Sequence, residues 1–171
     1  MSKLVISTSS FDVEDNSSLN HLVNSGMHIV RNSYKRKLTE DEAIELLGED
    51  TIGMIAGIEP LTERVFSSAK NLKVVSRCGA GLDSVELAAA KLNGISVFYS
   101  PEAAALAVAE LTMGLMLAAL RRICQTDRLL RINEWPRMQG QLFAAQTVGI
   151  IGLGPVSYTH LRAHETDSYI V

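Results

Sequence analysis

Along the first hundred residues, short apolar runs alternate with stretches in which apolar side chains return every three or four positions. That is the pattern of strands buried on both faces and joined by covering helices. Runs at 3–7, 27–30, 52–56, 72–76 and 95–98 predict five strands. Residues 15–24 predict a helix with Leu19, Leu22 and Val23 on one side, closed at Gly26. Thr39-Glu40-Asp41-Glu42 has capping-box spacing and opens a helix carrying Ala43, Leu46 and Leu47, which Gly48 stops. Shorter helices are predicted at 62–69 and 84–92. Five successive βα units define the fold class as α/β, with a flavodoxin-like parallel sheet confined to residues 1–99.

The pattern changes at residue 100. Residues 103–120 are almost wholly apolar and end in Arg121-Arg122, with Ser100 placed to cap a helix and Pro101 suited to its first turn. The length approaches that of a membrane span, but Glu110, Thr112, Gly114 and the many alanines predict a buried helix of a soluble protein. A charged amphipathic stretch at 125–133 and a polar connection through Trp135-Pro136 and Gly140-Gln141 follow. Thr147-Val148-Gly149-Ile150-Ile151 predicts a sixth strand, and Gly152-Leu153-Gly154 comes directly after it, as in the turn that opens a Rossmann fold. Residues 100–154 are therefore expected to begin a second domain. Residues 155–171 carry no helical apolar face, and the stretch from Val156 to Thr166 resembles translated sequencing-adapter DNA, so it is expected to be foreign.

Composition removes several function classes. With a net charge of -3 and a pI near 5.8, the chain has no basic excess with which to collect phosphates, so no nucleic-acid partner is expected. Cys78 and Cys124 have no CxxC spacing and no neighbouring ligand histidine, which predicts reduced thiols and no metal site. The apolar run after Met1-Ser2-Lys3 is too short for a signal sequence, and a cytoplasmic address follows. His160 and His164 are four apart beside Glu165, but the HExxH order is absent. His21 and His28 have no carboxylate at fixed spacing, and Arg31, Lys35, Arg36 and Lys37 around Tyr34 suit a solvated loop.

Two places can carry chemistry. Arg77-Cys78-Gly79-Ala80-Gly81-Leu82-Asp83 stands at the carboxyl end of the fourth predicted strand, the edge where ligands gather in such sheets. Its glycines let backbone amides turn toward one point, a nest suited to a carboxylate; a plain tight turn is the alternative. The second place is the glycine turn at Gly152 and Gly154. There the third glycine position is Ser157, and Pro155 has no amide to offer a phosphate.

The segment Val74-Val75-Ser76-Arg77-Cys78-Gly79-Ala80-Gly81-Leu82-Asp83-Ser84-Val85-Glu86 resembles phosphoglycerate dehydrogenase-like D-2-hydroxyacid dehydrogenases. So do Gly57-Ile58-Glu59-Pro60-Leu61-Thr62, Val108-Ala109-Glu110-Leu111-Thr112 and the Thr147 to Gly154 run, and the likeness covers residues 3–154. It implies NAD as cofactor, a small 2-hydroxy or 2-oxo acid as substrate, and a homodimeric parent. It also implies that the backbone at Cys78 and Gly79 receives the substrate carboxylate, and that Ala80 lies beside the nicotinamide. The dinucleotide would pass Gly152, Gly154, Pro155 and Val156. A threonine common in the family is replaced by Ala105. The family's catalytic arginine, glutamate and histidine lie in motifs without a counterpart before residue 154, so no catalytic residue is assigned and an inactive fragment is expected. The alternative is a stand-alone flavodoxin-like binding, signalling or oligomerisation module, although Ser7-Thr8-Ser9-Ser10 and Gly57-Ile58 are not the acidic residues a phospho-receiver needs.

Overall fold

The computed structural model describes residues 2–9, 16–152 and 154. The chain divides into two compact units, Met1–Pro101 and Glu102–Val171. The first unit is built on five strands, β1 (Lys3–Ile6), β2 (His28–Arg31), β3 (Thr51–Ala56), β4 (Val74–Arg77) and β5 (Ser96–Tyr99). They pair in parallel in the order β2-β1-β3-β4-β5, the flavodoxin-like order that the repeated βα pattern anticipates. The registers Val5 with Met54, Met54 with Val75 and Val75 with Val97 run a single apolar row across the four strands β1, β3, β4 and β5.

Alternation along the strands decides which helix covers which face. Val5, Met54, Ala56 and Val75 point to one side, where they meet Leu47 of α2 (Glu40–Leu47), Val65 and Phe66 of α3 (Glu63–Ser68), and Ala89 and Ala90 of α4 (Leu87–Leu92). Leu4 and Ile6 point to the other side and pack on Leu19 of α1 (Ser17–Asn24), with Ile55 and Ile29 beside them. The capping box at α2 is complete: the Thr39 hydroxyl accepts from the Glu42 amide and the Glu42 carboxylate accepts from the Thr39 amide. Gly48 then ends the helix at φ +56, a conformation that side chains with a Cβ avoid. Helix α1 is capped by Asn16, whose side chain accepts from the Leu19 amide, and starts at Ser17, two residues later than the pattern suggests.

In the second unit, α5 (Ala105–Leu120) and α6 (Ile123–Arg131) are followed by a single 3-10 turn, Phe143–Ala145. Ser100 does not cap α5. Its amide instead donates to the Gly79 carbonyl at 3.4 Å, extending the β4–β5 ladder, and the helix starts at Ala105 without a side-chain cap. The sixth strand expected at 147–151 is not formed: Ile151 is fully exposed, and Val148 and Ile150 are close to half exposed. An extended run becomes a strand only when a neighbour takes its amides and carbonyls, and among the described residues of this unit there is none. Among the described residues no helix is long and apolar enough to cross a membrane.

Candidate functional site

β4 ends at Arg77, and the chain turns at once into the loop 78–86 that leads to α4. Two sets of backbone bonds fasten this loop to the parallel loop after β3. The Cys78 amide donates to Ala56 O at 2.8 Å, which prolongs the β3–β4 pairing by one residue. Further on, the Leu61 amide donates to Ser84 O at 2.8 Å and the Glu86 amide to Leu61 O at 2.9 Å, a one-residue parallel bridge between Leu61 and Val85. Between these ties the backbone bulges outward. Gly79 has φ +138, and a methyl group there would stand 2.8 Å from Arg77 Cζ, so only glycine fits the turn as it is built.

The amides along the bulge are not equivalent. Those of Cys78 and Gly79 are engaged, the first with Ala56 O and the second with Arg77 O at 3.0 Å, whereas Ala80 and Gly81 donate to no described group. The guanidinium of Arg77 folds back over the turn, where Nη1 donates to Cys78 O and the buried Nε has no partner. Asp83 stands on the loop's other side, its Oδ2 3.0 Å from where a Cβ on Gly81 would be. The result is an exposed cradle, a turn with two open amides and the Arg77 guanidinium beside them, with the exposed Cys78 thiol and the Asp83 carboxylate on the same loop.

Of the residues that the sequence singles out, Cys78, Gly79 and Ala80 share this one loop, with Cys78 and Ala80 exposed. Gly152 and Gly154 belong to the second unit; Gly152 takes φ +99, and a Cβ on either would meet nothing within 4 Å. Pro155, Val156, His160 and His164 lie outside the described residues. A dinucleotide fingerprint needs a strand to enter the turn, and with 147–151 unpaired the described residues assemble no dinucleotide site. Sequence reasoning assigned Arg77 no role. The available signal was its place as the last strand residue before a glycine turn. His28 opens β2 and so sits at the amino edge of the sheet, opposite the cradle, while His21 lies on α1.

A second polar cluster occupies the same carboxyl edge. Glu59 is 1% exposed, and its Oε1 accepts from the Ser7 hydroxyl and from the Gly57 amide at 2.9 Å. The sequence offered no sign of it beyond a lone acidic residue in a loop. Elsewhere, the Arg36 guanidinium and the Thr39 amide hold the Glu42 carboxyl down to about 2, and the Arg36 guanidinium is raised in return.

Comparison with known proteins gives one family. Residues 5–166 match the profile described as D-isomer specific 2-hydroxyacid dehydrogenase, catalytic domain, so the match runs into the stretch after 154 that the pattern sets apart. The chain is 39% identical over 121 residues to a D-3-phosphoglycerate dehydrogenase of Methanocaldococcus jannaschii, covering 70% of this chain and 23% of that protein. It is 35% identical over 121 residues to a hydroxypyruvate reductase of Thermotoga maritima, covering 70% of this chain and 40% of that protein. The NAD+-bound 3-phosphoglycerate dehydrogenase of Entamoeba histolytica superposes with a TM-score of 0.70 at 22% identity, covering 95% of this chain and 50% of that one. That last likeness shows a shared fold. The chain spans less than half the length of either curated relative.

Proposed function

Since the chain belongs to the D-isomer specific 2-hydroxyacid dehydrogenase family, we propose that its first unit is the substrate-holding domain of an NAD-dependent oxidoreductase acting on a small D-2-hydroxy acid. The observation that carries this reading is the pair of open amides at Ala80 and Gly81 beside the Arg77 guanidinium, on the carboxyl edge of a 2-1-3-4-5 sheet. The resemblance put the substrate carboxylate on the Cys78 and Gly79 backbone; because those two amides are engaged within the fold, the carboxylate is placed on the next two, Ala80 and Gly81, with Cys78 and Gly79 as the floor and Arg77 swinging from Cys78 O onto the bound anion. Ala80 then borders the nicotinamide, and Gly152, Gly154, Pro155 and Val156 are the positions for the rest of the dinucleotide. A homodimeric parent and a cytoplasmic address accompany the reading.

Hydride transfer from an alcohol also requires a group that takes the hydroxyl proton. None of the described residues of the cradle is a histidine, and His28 lies at the opposite edge. We therefore propose that the cradle supplies no proton carrier of its own, and expect the chain to bind a hydroxy acid without turning it over. The test is a titration of the labelled full chain with tartronate, a dicarboxylate 2-hydroxy acid, followed by backbone amide resonances. Saturable shifts centred on Ala80 and Gly81 within the loop 77–81 are expected; shifts confined to residues outside that loop, or none, reject the cradle. Sustained reduction of NAD with any member of a panel of D-2-hydroxy acids would reject the inactive reading.

One observation favours a second role, self-association. Leu111 and Leu115, one turn apart on α5, are each more than half exposed, an apolar strip that a second copy of the chain could cover. Size-exclusion chromatography showing a monomer at every concentration, without binding of a hydrophobic dye, counts against it.

A further inference from the structure

Among the described residues Glu59 is the one buried carboxylate, it stands at the carboxyl edge of the sheet, and its surroundings link it to the substrate cradle. Its Oε1 gathers the Ser7 hydroxyl from the end of β1 and the Gly57 amide from the end of β3. The carboxylate lies against the bare Cα of Gly57. A Cβ there would stand 2.9 Å from Glu59 Oε2 and 3.1 Å from the backbone of Thr8, so this packing requires glycine at 57. The Ser7 hydroxyl is also 3.1 Å from Ile55 O, which keeps it within the sheet. The loop 57–61 is thus anchored at its middle to the neighbouring strand. At its two ends it is joined to the cradle loop, by Ala56 O to the Cys78 amide and by Leu61 to Ser84 and Glu86.

We propose that Glu59 is a positioning residue for the substrate cradle: by fixing the 57–61 loop against β1, it sets the frame on which the Gly79, Ala80 and Gly81 backbone is held. The physical reason is geometric. Between Cys78 and Ser84 the cradle loop has one further sheet contact, the Gly79 carbonyl accepting from the Ser100 amide at 3.4 Å on the β5 side, so on the β3 side its open amides inherit their position from the attachments at Cys78 and at Ser84 to Glu86. Both attachment points sit on the strand-and-loop segment that Glu59 pins. The carboxylate is buried with its hydrogen bonds made, and removing it strands the Gly57 amide and leaves the Ser7 hydroxyl only Ile55 O. The inference rests on the substrate-cradle reading for its functional meaning; the mechanical link itself does not.

The test uses the full chain with four substitutions: Glu59→Ala, Glu59→Gln, Ser7→Ala and, as a control, Leu19→Ala in the separate cluster on the α1 face. Backbone amide spectra and hydrogen exchange are recorded for each. Glu59→Ala and Ser7→Ala are expected to move the Gly79, Ala80 and Gly81 resonances. They should also speed exchange at Leu61 and Glu86 at least about tenfold beyond Leu19→Ala at a comparable loss of global stability. Glu59→Gln keeps an oxygen that can accept both bonds and is expected to restore much of the wild-type spectrum. Changes confined to 6–8 and 57–60, with the cradle resonances unmoved, overturn the proposal. Should Glu59→Ala not fold, Ser7→Ala decides by the same criteria. Wild-type chain that fails to bind tartronate would count against the cradle, whereas the role of Glu59 is judged on the amide shifts alone.

Discussion

Replacing Gly79 by alanine perturbs the cradle at a point where two penalties can be separated. At φ +138 the backbone lies in a region that residues with a Cβ occupy at a cost of about 1–3 kcal/mol, partly offset by about 0.4–1 kcal/mol from the lower entropy of the unfolded chain. The new methyl would also run into the Arg77 guanidinium, 2.8 Å from Cζ. That side chain is flexible and can swing out, at the loss of its bond to Cys78 O, worth about 1 kcal/mol. The sum is a loss of about 1–3.5 kcal/mol, which for a unit of this size lowers Tm by about 5–25 °C. Gly94→Ala is the reference, because Gly94 has φ +69 and nothing within 4 Å of a Cβ, leaving only about 0.5–1 kcal/mol of net strain. Urea unfolding of Gly79→Ala, Gly94→Ala and Gly79→Ala combined with Arg77→Ala measures both parts. Gly79→Ala should cost more than Gly94→Ala, and the excess should shrink in the Arg77→Ala background. A Gly79→Ala variant within about 0.5 kcal/mol of wild type would refute the turn geometry and with it the argument that the open amides depend on glycine.

Two further outcomes follow from the same structure. The Glu42 carboxyl, lowered from 4.5 to about 2 by the Arg36 guanidinium and then the Thr39 amide, favours the folded state in full above pH 4.5, and that contribution is lost as pH falls toward about 2. Thermal unfolding of Glu42→Gln, which can keep the capping box, should be flatter than wild type across that window; parallel curves would reject the link. Phe66, 1% exposed among Val65, Leu72 and the α4 alanines, should cost about 3–5 kcal/mol when cut to alanine, a large share of a typical domain's stability, as read by circular dichroism in urea.

Features encoded within a few residues of one another were legible from the chain itself. The Thr39–Glu42 capping box, the stop at Gly48 and the five apolar runs are local, because a helix end or a buried strand is signalled by residue types at fixed short spacing. The cradle loop was legible in the same way, since two glycines after a strand constrain the backbone whatever surrounds it. The same local logic misplaced the start of α5, because Ser100 can serve either as a cap or as the end of the β4–β5 ladder, and the distant Gly79 carbonyl decided between them. It also forecast a strand at 147–151 that has no partner among the described residues, since an apolar run states a readiness to be buried and says nothing about what is there to pair.

What the amino-acid order determined by itself is the five βα repeats of the first unit, their sequence and the glycine-built turn that follows β4. Tertiary structure alone decided which amides of that turn stay open, that Arg77 lies across it, and that Ser7 and Glu59, 52 residues apart, meet in the interior. The reason is the same in each case. Hydrogen-bond partners across a sheet are chosen by strand order and register, which depend on how every apolar face is buried at once, and no short window of sequence contains that information.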